Sequence, residues 1–142
     1  MKIRPYAVSD ELAVIDLWQR CGLTRPWNDP SLDIRRKLSV QPELFVVGET
    51  DGKVVASAMA GYDGHRGWVN YLAVDPACRL QGLGRQLMAH LEAGLQALGC
   101  PKLNLQVRTG NTEVLAFYRS LGYAVDDVVC LGKRLIVDER NA

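Results

Sequence analysis

Val14, Leu17, Trp18 and Cys21 fall at i, i+3, i+4 and i+7, a spacing that lays one apolar stripe along a helix, and Gly22 ends it. Ser9 or Asp10 stands ahead of the stripe as its cap, and residues 3–7 before it read as a short strand. Asp29-Pro30 predicts the cap and first position of a second, short helix, with Ile34 and Leu38 inward and Arg35, Arg36 and Lys37 on its solvated face. Strands follow. Residues 44–49 and 54–61 flank Thr50-Asp51-Gly52-Lys53, and Asp-Gly supplies the positive φ that a hairpin turn needs. A polar turn over 63–67 leads into a third strand over 68–74, stopped by Asp75-Pro76. Leu87, Leu91, Leu95 and Leu98 share one face of a helix over 83–98, which Gly99 and Pro101 close. Leu103, Leu105 and Val107 alternate with Asn104 and Gln106, the period of a strand. A helix over 112–121, ended by Gly122, and two last strands near 123–125 and 128–136 complete the chain. This order is an α+β layout with one parallel strand–helix–strand unit at its centre.

Composition narrows the class. At 142 residues, with no linker or repeat, residues 1–142 are expected to form one domain. Seventeen basic against sixteen acidic residues leave a net charge of +1, which argues against broad binding to nucleic acid or acidic membrane. No apolar run approaches a membrane span. Cys21, Cys78, Cys100 and Cys130 lie far apart and the chain has two histidines, so neither a metal site nor a redox dithiol is expected. Ser9, Asp10 and Glu11 interrupt any signal-peptide core, and the expected location is the cytoplasm.

The chemistry concentrates after the third strand. In Arg79-Leu80-Gln81-Gly82-Leu83-Gly84-Arg85 an apolar strand gives way to a loop, and two glycines open a long helix. Backbone N–H groups at such a helix start are unpaired and suit a phosphate, glycines let it approach, and Arg79 and Arg85 add charge. A Walker loop needs Gly-Lys-Ser/Thr, whereas Gly84 is followed by Arg85-Gln86; a dinucleotide fingerprint needs a third Gly or Ala where Leu87 stands.

Arg79-Leu80-Gln81-Gly82-Leu83-Gly84 resembles the R/Q-x-x-G-x-G/A motif of the GNAT superfamily of acyl-CoA N-acyltransferases. In register behind it, Asn111 with Tyr118 seven residues on, then Gly122-Tyr123, resembles that superfamily's second signature. The segments Arg25-Pro26-Trp27-Asn28-Asp29 and 61–67 are similar to a small bacterial YpeA-like branch. The resemblance implies a mostly antiparallel central sheet flanked by helices, with a splayed parallel strand pair that admits the pantetheine arm of acetyl-CoA. It implies that Leu72, Ala73 and Val74 offer backbone groups to the arm and the thioester oxygen. Arg79, Leu80, Gln81, Gly82, Leu83, Gly84 and Arg85 would then hold the pyrophosphate, and Asn111, Phe117 and Tyr118 would line the other side.

An amine attacking a thioester builds negative charge on its oxygen, which a preorganised N–H stabilises, and the leaving thiolate needs a proton. Tyr118, protonated at neutral pH, is the candidate general acid; its alternative reading is a core aromatic on an amphipathic helix. The general base is less evident. Similar ribosomal-protein N-terminal acetyltransferases carry a Glu where Gln106 stands, and Gln takes no proton. Asp63, His65 and Asp75 are the alternative proton acceptors. An α-amine of pKa about 8 costs about 1.4 kcal/mol to deprotonate at pH 7 and a lysine about 4.6 kcal/mol, which favours a weakly basic acceptor. Trp27, Asn28, Tyr62 and Asp63, on loops beside the scaffold, are candidates for the acceptor pocket. Cys78 reads as structural.

The expectation is therefore direct acetyl transfer from acetyl-CoA to a primary amine of a small molecule, protein N-terminus or lysine. A non-catalytic acyl-CoA-binding or sensing domain would keep the loop and lose the acid; an RNA-directed acetylating toxin should show a basic face. Homodimerisation through an edge strand follows by family analogy only.

Overall fold

The computed structural model describes residues 1–138. Five strands form one sheet in the order β1 (Lys2–Pro5), β2 (Phe45–Thr50), β3 (Lys53–Tyr62), β4 (Gly67–Val74) and β5 (Leu103–Leu105). The first four run antiparallel and β4–β5 is parallel. Helices α1 (Glu11–Arg20) and α2 (Pro30–Leu38) precede the hairpin, α3 (Leu83–Ala97) makes the crossover, and α4 (Thr112–Ser120) follows β5.

Each face of the sheet is covered, which is why β2 reads as a nearly continuous apolar run. Val46, Ala58, Ala60 and Val69 pack with Leu87, Met88, Leu91 and Leu95 of α3 and Tyr118 of α4. On the opposite face Val14, Leu17 and Trp18 of α1 and Ile34 of α2 pack with Phe45, Val47, Met59 and Ala73. The predicted stripes thus hold, except that Leu98 lies beyond α3 and is 49% exposed. Asp29 caps α2 as its spacing implied, accepting from the Ser31 and Leu32 amides. Asp10 does not cap α1. Its carboxylate accepts from the Ala7 amide and is gripped by Arg4 at 2.8 and 2.9 Å, which fixes the turn before the helix.

Two features depart from the sequence pattern. First, β4 carries a bulge: Ser57 faces Ala73 and Met59 faces Asn70, so Tyr71 and Leu72 share one place opposite Ala58. Tyr71 absorbs it with φ of 54°. Secondly, the β5 ladder ends at Leu105, short of Val107, and neither strand expected at 123–125 and 128–136 forms. A three-residue edge strand offers little to pair with, and Asp126-Asp127 and Gly132-Lys133-Arg134 interrupt the alternation. The segment is held by side chains instead: Lys102 Nζ on Asp126 at 2.9 Å, Gln106 on Cys130, and Arg36 on Asp138.

The last contact is pH-sensitive. The Arg36 guanidinium and the Asp29 amide hold the Asp138 carboxyl down at about 2, below its ordinary 3.8. A depressed carboxyl stabilises above its unfolded pKa and loses that contribution as pH falls through the folded one. The segment is therefore expected to stay docked on α2 at neutral pH and to release between about pH 4 and 2, read as earlier proteolytic cleavage near residue 138. Asp138→Asn should release it at pH 7.

Candidate functional site

Three pieces of backbone converge on the end of β4. Pairing with β5 stops at Val69, while β4 runs on to Val74. The intervening gap is lined by strand groups that the bulge has turned. The Asp75 amide donates to Val55 O at 2.7 Å, on the β3 side. By strand alternation the Val74 and Leu72 amides then point away from β3 into the gap, and Ala73 faces β3 rather than the gap.

The gap leads to the start of α3. Gly82 is its cap at φ of 76°, a conformation that favours glycine, and no side chain caps the helix. The first intrahelical bond is Gln86 N to Gly82 O, so the amides of Leu83, Gly84 and Arg85 remain available. Arg79, Leu80 and Gln81 are exposed, with Leu80 at φ of 64°. Arg85 reaches toward the C-terminus of α4, with Ser120 O as acceptor at 3.4 Å. Gly84 has a different reason: a Cβ there would stand 2.9 Å from Phe117 Cζ, so its bareness lets α4 close on α3. The loop thus offers an uncapped helix start with two arginines nearby, which fits a pyrophosphate.

On the other wall, Asn111 caps α4 by accepting from the Val114 amide. Phe117 lies edge-on to Tyr118 with centroids 5.0 Å apart. Tyr118 is 7% exposed, and burial pushes its phenol up to about 12. Its hydroxyl makes no hydrogen bond among the described residues. Tyr123 packs on Tyr118 at 5.7 Å and donates to Glu92 Oε2 at 2.7 Å.

The four acceptor candidates do not come together. Trp27 stands under the Arg108 guanidinium, 5.8 Å from its ring centroid, with Asn28 beside it in the chain and therefore near the open end of β5. Tyr62 and Asp63 sit at the other end of β4, where Tyr62 pairs with Gly67. There they line a groove of about 230 Å³ with Lys37, Gln41, Trp68 and Asn70. Lys37 is therefore partly enclosed rather than on a solvated face, and burial lowers its pKa.

Two of the three candidate bases are occupied. Asp63 accepts from the His65 and Arg66 amides at 2.8 and 2.7 Å, which lowers its pKa. Asp75 accepts from the Ala77 amide and pairs with Arg20 at 2.9 Å, with the same effect. His65 is exposed in the turn. One carboxylate the sequence reading passed over does face the bulge: Asp33 Oδ2 accepts from the Tyr71 hydroxyl at 2.6 Å. No spacing could have shown this contact across 38 residues.

Comparison with known proteins agrees with this geometry. Residues 11–123 match the model of the acetyltransferase (GNAT) family. The chain belongs to the GNAT acetyltransferase family. A Yersinia enterocolitica acetyltransferase is 52% identical over 98% of this chain and 99% of its own. The Escherichia coli ribosomal-protein-S18-alanine N-acetyltransferase superposes with a TM-score of 0.70 at 31% identity, over 85% of this chain and 76% of that one. Ard1 from Thermoplasma volcanium gives a TM-score of 0.77 at 27% identity, over 88% and 83%. GNAT enzymes transfer acetyl groups to amines and use acetyl-CoA, and the chain is an acetyltransferase of that family. No helix of the described residues is long and apolar enough to cross a membrane.

Proposed function

We propose that this GNAT protein moves an acetyl group from acetyl-CoA directly to a primary amine, with no acyl-enzyme. The observation that carries the reading is the unpaired half of β4, whose turned amides run from the bulge to the uncapped start of α3. The pyrophosphate rests on the Leu83, Gly84 and Arg85 amides, with Arg79, Leu80, Gln81, Gly82 and the Arg85 side chain around it. Leu72 and Val74 hold the arm and the thioester oxygen through backbone, with Ala73 packing beneath; Asn111, Phe117 and Tyr118 form the facing wall. Bound there, the thioester supplies an activated acetyl carbon, and a gap-facing N–H meets charge developing on its oxygen. Tyr118 stands on the α3 side as proton donor to the departing sulfur.

The acceptor approaches from the α1–α2 side, past Trp27 and Asn28 near the open end; Tyr62 and Asp63 bound a separate groove. The S18-alanine enzyme named above acts on an α-amine, and with Gln106 just beyond β5 the same class, easily deprotonated, suits this chain. Residues 1–138 show four unbridged cysteines, which supports a reducing, cytoplasmic setting.

Calorimetry with acetyl-CoA, followed by thiol release across α-amines, lysine peptides and amino-sugars, tests the reading. Binding without thiol release from any amine would favour the acyl-CoA-sensing alternative. An RNA acceptor would show as tRNA binding that weakens steeply with salt.

A second copy of this chain is the partner we assign to the exposed C-terminal segment. Val128, Val129, Leu131, Leu135, Ile136 and Val137 are each 66–89% exposed. Around Gly132 the pattern is self-complementary: an antiparallel pair of copies sets Val128 against Ile136 and Val129 against Leu135. Covering these side chains in both copies removes on the order of 1,000 Å², enough for a specific interface. Sedimentation should show a dimer, and Val129→Lys with Leu135→Lys should yield a monomer; a monomeric parent protein rejects the assignment.

A further inference from the structure

With Asp63 and Asp75 tied into turns and His65 in the turn at the opposite end of β4, the proton of the attacking amine needs another destination, and α2 supplies one. Asp33 lies in the first turn of α2, and its Oδ2 takes the Tyr71 hydroxyl proton in a 2.6 Å hydrogen bond. Tyr71 is the bulge residue itself, immediately before the Leu72 amide that faces the gap. Trp18 holds its ring in a stack with centroids 4.0 Å apart. That ring belongs to the α1–α2 face, whereas the α3 start and Tyr118 lie on the other. Donor and proton acceptor thus flank the gap from opposite sides of the sheet.

We infer that Tyr71 is a catalytic residue that receives the amine proton, and that Asp33 is the positioning residue which accepts it through the phenol. The inference rests on the gap being the thioester site. The neutral amine's lone pair attacks the acetyl carbon, and the carbonyl π pair moves onto oxygen beneath the gap-facing amide. The nitrogen, now positively charged, passes a proton to Tyr71 Oη as the Tyr71 proton moves to Asp33 Oδ2. The oxygen pair returns, the C–S bond breaks with its electrons on sulfur, and sulfur takes a proton from Tyr118. Asp33 later releases its proton to solvent and Tyr118 regains one, so amine and thioester become amide and thiol with nothing left over.

The surroundings suit a relay. Arg36 holds the other Asp33 oxygen at 3.0 Å, which leaves Oδ2 turned toward Tyr71. Arg36 is shared with Asp138, and Arg134 is the remaining charge near that carboxylate. From α1 the neighbour is the uncharged Trp18. The Asp33 side chain is 22% exposed, which leaves an exit for the proton.

Asp33→Asn separates chemistry from structure, because its amide oxygen still accepts the Tyr71 hydroxyl while its capacity to take a proton is gone. Expected is a loss of about 100-fold in kcat/KM, carried by kcat, with acetyl-CoA affinity within twofold. Tyr71→Phe should lose as much, the double variant little more, and Asp33→Glu should recover part. The loss should shrink with amines of low pKa, which shed their proton unaided. Acetyl-CoA hydrolysis without amine gives a second readout, with water as acceptor. Asp33→Asn turnover matching the parent protein in both assays overturns the relay, as does acetyl-CoA binding with no thiol release to amine or water. Failure of the parent protein to bind acetyl-CoA instead rejects the reading of the gap.

Discussion

Tyr118→Phe is expected to lower kcat for thiol release about 1,000-fold while leaving acetyl-CoA affinity within about twofold. The phenol is nearly enclosed, and burial alone raises it to about 12. It therefore stays protonated across the whole working range, and no alkaline loss of activity from Tyr118 is expected below about pH 11. A thiol has a reference pKa of about 8.5, so full transfer from such a phenol to a solvated thiolate is uphill. A thiolate held against the buried Tyr118 would also be desolvated, which would raise its basicity and narrow the difference. In the proposed mechanism Tyr118 acts as charge builds on sulfur, through a hydrogen bond that strengthens along the reaction, so the loss should appear in kcat. Stability supplies the control. A hydroxyl without a hydrogen bond among the described residues adds little to the fold, so the phenylalanine variant should melt at about the same temperature. An inactive variant with lowered Tm would mean that Tyr118 is a packing residue only.

What the chain discloses in one dimension is what local rules decide. The stripe of Val14, Leu17 and Trp18 is buried, and the Asp51-Gly52 turn has φ of 51° and 75°. The glycine pair was legible too, but its two members differ: Gly82 is needed for its backbone angle and Gly84 for contact with Phe117. The β4 bulge was hidden because residues 68–74 are apolar but for Asn70, so an inserted residue leaves no clear break in the alternation. Asp33 was hidden because its partner lies 38 residues away on β4, and the Arg36–Asp138 pair spans 102 residues. The last strands failed for the opposite reason. Apolar residues suggest strands there, but Asp126-Asp127 and Gly132-Lys133-Arg134 interrupt the alternation and β5 gives them only three residues to pair with.

Trp18→Ala is expected to destabilise the protein by about 3–5 kcal/mol, a large share of the 5–15 kcal/mol typical of a domain. Trp18 is fully buried, stacks on Phe45 at 6.2 Å and Tyr71 at 4.0 Å, and donates its indole N–H to Ser57 Oγ at 2.9 Å. Truncation leaves a cavity and also strips the equally buried Ser57 hydroxyl of its donor. Trp18→Phe separates these costs, since most of the packing remains and the hydroxyl is still orphaned. Adding Ser57→Ala should then recover about 1–2 kcal/mol, measured by urea denaturation. Function should fail before the fold does. Tyr71 depends on the Trp18 ring for its place at the bulge, so Trp18→Phe should lose acetyl transfer at temperatures where its circular dichroism is unchanged. Full transfer activity in a folded Trp18→Ala protein would show that the bulge is set by the sheet alone, and that α1 serves only to cover it.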